Sequence, residues 1–183
     1  SLLRSDRGSR FKASDLVFLD ESGCNTDMTR RYAYSLGGSR TVDSAPLSKP
    51  KNTTILSSIQ LDGTLRYTTF SGGTTVERFK RYLETDLLPH LNGNSVLIMD
   101  NMKSHHAKAV KNLLDSSEIR YISLPPYSPD LNPIEKLWSK VKSFLRKFKA
   151  RTLDALPNAI QNAFHAVTVT DCSGWFRFCG YAL

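Results

Sequence analysis

No run of 18 apolar residues occurs in this sequence, so it offers no candidate membrane-spanning helix. No secretory leader is read at its start, and because it opens on Ser1 and not on Met, a fragment is expected. Cysteine is scarce: Cys24, Cys172 and Cys179 are odd in number and lack the paired spacing of a zinc site. They read as ordinary reduced thiols, and a cytoplasmic protein is the matching expectation. Internal repeats and low-complexity tracts are absent. Acidic residues are the minority, 17 Asp and Glu against 25 Lys and Arg, for a formal charge of +8. The cations are spread along the chain, thicken over residues 136–151, and favour a polyanion, either nucleic acid or an anionic membrane. At 183 residues the chain fits one domain with a core of its own.

Proline is concentrated where it matters. Pro125, Pro126, Pro129 and Pro133 fall within nine positions. Each fixes φ and removes an N–H, so this stretch is neither a central strand nor a helix interior. It reads as a stiff extended segment leading into a helix, with Asn132 as N-cap and Pro133 in the first turn. Apolar residues then recur at Ile134, Leu137, Trp138, Val141, Phe144, Leu145 and Phe148, the helical period of a buried face. Glu135, Ser139, Lys142, Arg146 and Lys149 form a second stripe, one carboxylate above three cations, which suggests a site that handles phosphates. Glu135 has a plainer alternative: Asn-Pro-Ile-Glu also fits a capping box.

Ahead of this helix, residues 1–15 read as a lead-in. Residues 16–19 read as a buried strand ending on Asp20 and Glu21, before Ser22-Gly23. Residues 26–50 are loop-rich, with a short strand at 31–34, and carry Arg30, Arg31 and Arg40 as either a solvated hairpin or a nucleic-acid contact. Strands over 53–61 and 65–70 flank Asp62-Gly63, a strong hairpin signal. A helix over 74–88 is stopped by Pro89. Residues 96–99 form a second short apolar run ending on an acid, Asp100. A short helix follows at 107–114 and a strand at 120–124. One more helix spans 152–167 with Thr152 as N-cap, and an aromatic tail at 169–183 packs on the domain. Antiparallel strands first, and strand–helix units later, imply an α/β fold with a mixed sheet covered on both faces.

Asp20, Asp100 and Glu135 thus stand at the ends of three core elements. Each alone has a local reading: a turn residue with Glu21 competing for the role, a loop-start cap, and the capping box. Together, three converging carboxylates would repel one another unless a divalent cation lay between them. Oxygen ligands without a His or Cys set select Mg²⁺ or Mn²⁺ over zinc, and two such ions serve phosphodiester chemistry.

Three motifs carry a resemblance: Asp20-Glu21-Ser22, Asp100-Asn101 with His105, and the run from Pro125 to Glu135, PPYSPDLNPIE. They resemble the catalytic domain of DDE transposases, the Tc1/mariner superfamily and within it the bacterial IS630 branch. The 34 residues between Asp100 and Glu135 match the spacing of that superfamily. The resemblance covers about residues 16–168 and implies an RNase H-like, mixed five-stranded sheet flanked by helices on both faces. It implies Asp20, Asp100 and Glu135 as ligands of two Mg²⁺ or Mn²⁺ ions, with Glu21, Asn101 and His105 around them. His105 would orient a phosphate or a carboxylate, or else cap a surface helix.

The activity implied is metal-dependent cleavage of DNA at transposon ends, then attack of the freed 3′-OH on target DNA. The partner implied is double-stranded DNA, with Arg30, Arg31, Arg40, Lys142, Arg146 and Lys149 along its backbone, no membrane, and a homodimer in the active complex. The setting implied is the bacterial cytoplasm, with the protein associated with the nucleoid. End recognition by a helix-turn-helix region is expected upstream of Ser1, or lost. Met102-Lys103-Ser104 is bulkier than the family's usual filling before His105. Two alternatives stand beside this: a domesticated transposase that binds DNA without cutting, and an RNase H-like nuclease acting on RNA–DNA hybrids or junctions.

Overall fold

In a computed structural model, β1 (Leu16–Cys24), β2 (Thr53–Ile59), β3 (Leu65–Ser71), β4 (Val96–Met99) and β5 (Arg120–Ser123) form one sheet in the order β3-β2-β1-β4-β5. The structure describes residues 11–24, 52–100, 107–125, 128–148 and 155–181. The Arg30, Arg31 and Arg40 segment with its expected short strand, Asn101, His105, Lys149 and Thr152 lie outside the described residues. The β1–β2 and β2–β3 pairs are antiparallel, and the β1–β4 and β4–β5 pairs are parallel. The sheet is therefore mixed, as expected.

Asp62-Gly63 makes the β2–β3 turn. Gly63 sits at φ +92°, and the Thr64 N–H donates to the Asp62 carboxylate at 2.9 Å. A side chain there would be strained and would meet Val169.

Among the described residues, five α-helices cover the sheet: α1 (Val76–Tyr82), α2 (Lys108–Ser116), α3 (Ile134–Phe148), α4 (Leu156–His165) and α5 (Val169–Phe178). Strand alternation sorts their contacts. Val17, Leu19, Leu56, Leu97 and Met99 pack under α1 and α2, on Phe79, Tyr82, Val110 and Leu114. Leu16, Phe18, Ile55, Ile59, Val96 and Ile98 face α3, α4 and α5. Even-numbered residues of β1 and β4 thus point to the α3 side.

The elements depart from the sequence reading in four places. β1 does not stop before Asp20. It continues to Cys24 because β2 pairs along it from Phe18↔Ile59 to Cys24↔Thr53. The helix expected over 74–88 is α1, capped by the Thr75 hydroxyl on the Arg78 N–H at 3.2 Å, followed by a π-helical turn at Leu83–Leu87 and a 3-10 turn at Leu88–His90. α4 begins at Leu156, with Pro157 in its first turn.

The stretch read as an aromatic tail packed on the domain forms a helix, α5, whose buried side joins the core. α5 starts on a capping box between Thr168 and Asp171 and buries Cys172 and Phe176, and the chain beyond it buries Cys179 and Tyr181. The Phe176 ring meets Phe18 edge-on at 5.4 Å.

Tyr181 then ties the chain back to the proline loop, its hydroxyl donating to the Leu131 carbonyl at 2.6 Å. Tyr181→Phe leaves that carbonyl short of its donor. We expect a loss of about 1 kcal/mol, read as a lower urea midpoint at unchanged slope.

Candidate active site

Asp20 and Asp100 are brought together by strand register. The parallel ladder of β1 with β4 runs from Leu16↔Val96 to Leu19↔Met99. One residue further on each strand come Asp20 and Asp100, on strands about 4.8 Å apart. Asp20 lies on the α3 face, and the charge of Asp100, next after the last residue of β4, acts on it. β4 ends as a strand at Met99, whose carbonyl still accepts the Leu124 N–H at 2.7 Å. Asp20 therefore sits within β1 at the point where its parallel neighbour stops, not at the end of its own strand as the sequence suggested.

Glu135 arrives on the first turn of α3. A 3-10 turn at Pro129–Leu131 leads in, and the Asn132 side chain accepts the Ile134 N–H at 3.3 Å. The Asn132 N–H is already given to the Pro129 carbonyl at 3.1 Å. A capping box would need that N–H for Glu135, so this alternative lapses. Glu135 is exposed at the helix head, while Ile134, Leu137, Trp138, Val141 and Leu145 are buried. One turn on, the Trp138 indole N–H donates to Asp20 Oδ2 at 3.1 Å. This contact pins α3 to β1 and fixes the Asp20 carboxylate. Sequence reading took Trp138 only as part of the apolar face. The available signal was its position, three residues after Glu135 on the same helix.

Asp20 is only 5% exposed. Burial first, and the Asp100 charge second, push its carboxyl up to about 7; Glu135 adds a smaller push, and the Glu21 backbone N–H and the Trp138 indole pull the other way. Asp100 thus acts on Asp20 more strongly than the exposed Glu135 does. Among the described residues, no three His, Cys, Asp or Glu side chains close on a single point. The donor set is nevertheless all carboxylate oxygen, and a buried anion destabilised by like charge is what a hard cation relieves. The residues fit Mg²⁺ or Mn²⁺.

The family model described as DDE superfamily endonuclease matches residues 15–157. The chain belongs to this family. The Tc1 transposase of Caenorhabditis elegans is 28% identical over 97 residues, which span 51% of this chain and 36% of that protein. The chain thus spans about a third of the length of that relative. Among solved structures, the Mos1 transposase paired-end complex superposes with a TM-score of 0.70 at 18% identity, covering 90% of this chain and 52% of that one. The Mos1 catalytic domain with raltegravir and Mn gives 0.66 at 18%, covering 91% and 76%. These matches bear out the Tc1/mariner resemblance, and the fold is RNase H-like.

The remaining residues of this DDE family member divide clearly. Glu21 lies on the opposite sheet face from Asp20, by strand alternation, and accepts the Thr74 hydroxyl at the entrance to α1. It does not join the cluster. Lys142 is half-buried beside β1, where its charge acts on the Cys24 thiol; Arg146 is exposed on the same stripe. His90 and His165 are exposed. Cys24, Cys172 and Cys179 are buried free thiols, and burial pushes Cys24 and Cys172 up to about 11, which keeps them protonated and inert at neutral pH.

Proposed function

We propose that this chain is the catalytic domain of a DNA transposase of the IS630 branch. It would cut DNA at transposon ends and join the freed 3′-OH to target DNA. The observation that carries this reading is the buried Asp20, held by Trp138 and raised in company with Asp100 and Glu135. Asp20, Asp100 and Glu135 would hold two Mg²⁺ or Mn²⁺ ions. Bound there, the ions supply the Lewis acidity that activates a water and steadies the leaving oxygen of the phosphodiester.

The chain itself supplies placement. Trp138 keeps the Asp20 carboxylate turned toward the head of α3. Lys142, Arg146 and Lys149 would lie along the phosphate backbone, and Arg30, Arg31 and Arg40 would contact the other flank. Asn101 and His105 would stand around the metal ligands, His105 orienting a phosphate or a carboxylate. The formal charge of +8 supports such a polyanion partner. The active complex would be a homodimer, and the setting a bacterial nucleoid. No observation favours the non-cleaving module.

The test is nicking of supercoiled plasmid. Nicking is expected in Mg²⁺ or Mn²⁺, loss in EDTA, and recovery when the metal is restored. Nicking that survives Asp100→Ala, or persists in EDTA, ends this reading. Trp138→Phe keeps the packing and removes the donor to Asp20. We expect the Mn²⁺ midpoint for activation to rise about 10–100-fold, the usual effect of losing a hydrogen bond behind a ligand. Direct Mn²⁺ titration followed by electron paramagnetic resonance should show the same shift.

A further inference from the structure

A second basic face of α3 lies outside the assignments above. Lys136, Lys140 and Lys147 line a groove of about 480 Å³ between α3 and α5, together with Ser143, Phe144 and Trp175. These lysines are not those of the Lys142 and Arg146 stripe; by helical rotation they lie roughly 80–160° further round, with Ser139 of that stripe at the groove's edge. From Lys136 to Lys147 the groove runs about 16 Å along the helix axis, and it starts one residue past Glu135.

The groove's one carboxylate is already engaged. Asp171 accepts from Lys140 and from the Thr168 N–H at 2.9 Å, and the Lys140 hydrogen bond, first among the causes, holds its carboxyl below the usual range. Lys136 and Lys147 are exposed, with the Lys136 ammonium 4.2 Å over the Phe178 ring. Trp175 and Phe144 are half-buried against the core and turn part of their rings to the groove. Phe144 stacks on Phe148 with centroids 6.0 Å apart.

We propose that this groove binds single-stranded DNA, with phosphates on the lysines and Ser143 and bases packed on Trp175 and Phe144. Lysines alone would suit any polyanion. The aromatic wall decides between them, because a duplex offers phosphates but keeps its bases stacked inside, whereas a single strand offers both. Net positive charge with an internally satisfied Asp171 disfavours a basic protein partner. The inference rests on the nuclease reading only for the choice of DNA. The groove adjoins the carboxylates without including them, so a strand released at a cut would have a place to lie beside Glu135.

The test is fluorescence anisotropy of labelled dT20 and of a 20-base-pair duplex, both in EDTA, so that no cleavage is needed and failure here is separable from failure of the nicking assay. Trp175→Leu is expected to weaken dT20 binding about 5-fold or more, the share of one stacked base, and to leave the duplex within about 2-fold. Ser143→Glu, at an exposed position with little folding risk, is expected to weaken dT20 by a similar factor. The Lys136→Ala, Lys147→Ala pair should lower the log–log salt slope for dT20 by about 1.4, two single-strand contacts at about 0.7 each. Unchanged dT20 affinity in Ser143→Glu and Trp175→Leu overturns the proposal. Equal weakening of both DNAs by these two variants also overturns it, and makes the groove a plain backbone contact.

Discussion

Asp20→Asn is expected to lower metal-dependent nicking at least about 10³-fold and, in the same protein without metal, to raise its melting temperature at neutral pH. The first effect follows from the lost charge, since a ligand to the ions carries several kcal/mol of the barrier reduction. The second follows from what Asp20 costs the fold. Its carboxyl is raised from 3.8 to about 7, by burial first and by the Asp100 charge second. A raised folded-state value means the folded protein binds more protons than the unfolded chain between about pH 4 and pH 7. Stability therefore falls as pH rises through that window and stays reduced above it. Each tenfold gain in proton affinity on folding is worth about 1.4 kcal/mol, so the penalty at pH 7.5 is up to about 4 kcal/mol.

Asn has the same shape, keeps an oxygen for the Trp138 N–H, and carries no charge to desolvate. Melting curves in EDTA from pH 4 to 8 should show the wild type losing stability across the window relative to Asp20→Asn. At pH 7.5 the variant should lie roughly 5–10 °C higher. Mg²⁺ should raise the wild type and leave the variant unmoved, since only the wild type gains binding energy from the ion. A variant no more stable than wild type at pH 7.5, or one that still nicks, would refute the role of Asp20 as a buried, charge-strained metal ligand.

The sequence already held the parts of the site that depend on local chemistry. Asp62-Gly63 marked the hairpin because the turn needs a positive φ. Residues 96–99 read as β4 because four apolar residues end on an acid. Asn132 and Pro133 marked the head of α3, and that fixed where Glu135 would stand. Contacts set by distant partners were hidden. Ser22-Gly23 looked like a turn, and only the antiparallel pairing with β2 carries β1 through it. The expected partner role of Glu21 ignored strand alternation, which sends it to the other face. Trp138 was visible as an apolar residue but not as a donor, since its acceptor lies 118 positions away. α5 was missed for a different reason. Cys172, Phe176 and Cys179 recur at helical spacing, but Ser173 and Gly174 between them weaken helix propensity enough to read as a tail.

That helix is the basis of the second large effect. Phe176→Ala is expected to cost about 3–5 kcal/mol, against less than about 1 kcal/mol for Phe178→Ala two positions on. Phe176 is fully buried, edge-on to Phe18 and 6.1 Å from Tyr181, whereas Phe178 is 70% exposed and touches the Lys136 ammonium. Truncating Phe176 opens a cavity beneath β1, two residues before Asp20 on the same face, and loosens Tyr181, whose hydroxyl holds the Leu131 carbonyl four residues before Glu135. The stability loss should therefore come with a loss of nicking even where the variant stays folded, measured at a urea concentration far below its midpoint. If both Phe variants lose equally little in urea melts, α5 is an appendage after all. If Phe176→Ala is destabilised but nicks normally while folded, the C-terminal helix supports the core without setting the position of the acids.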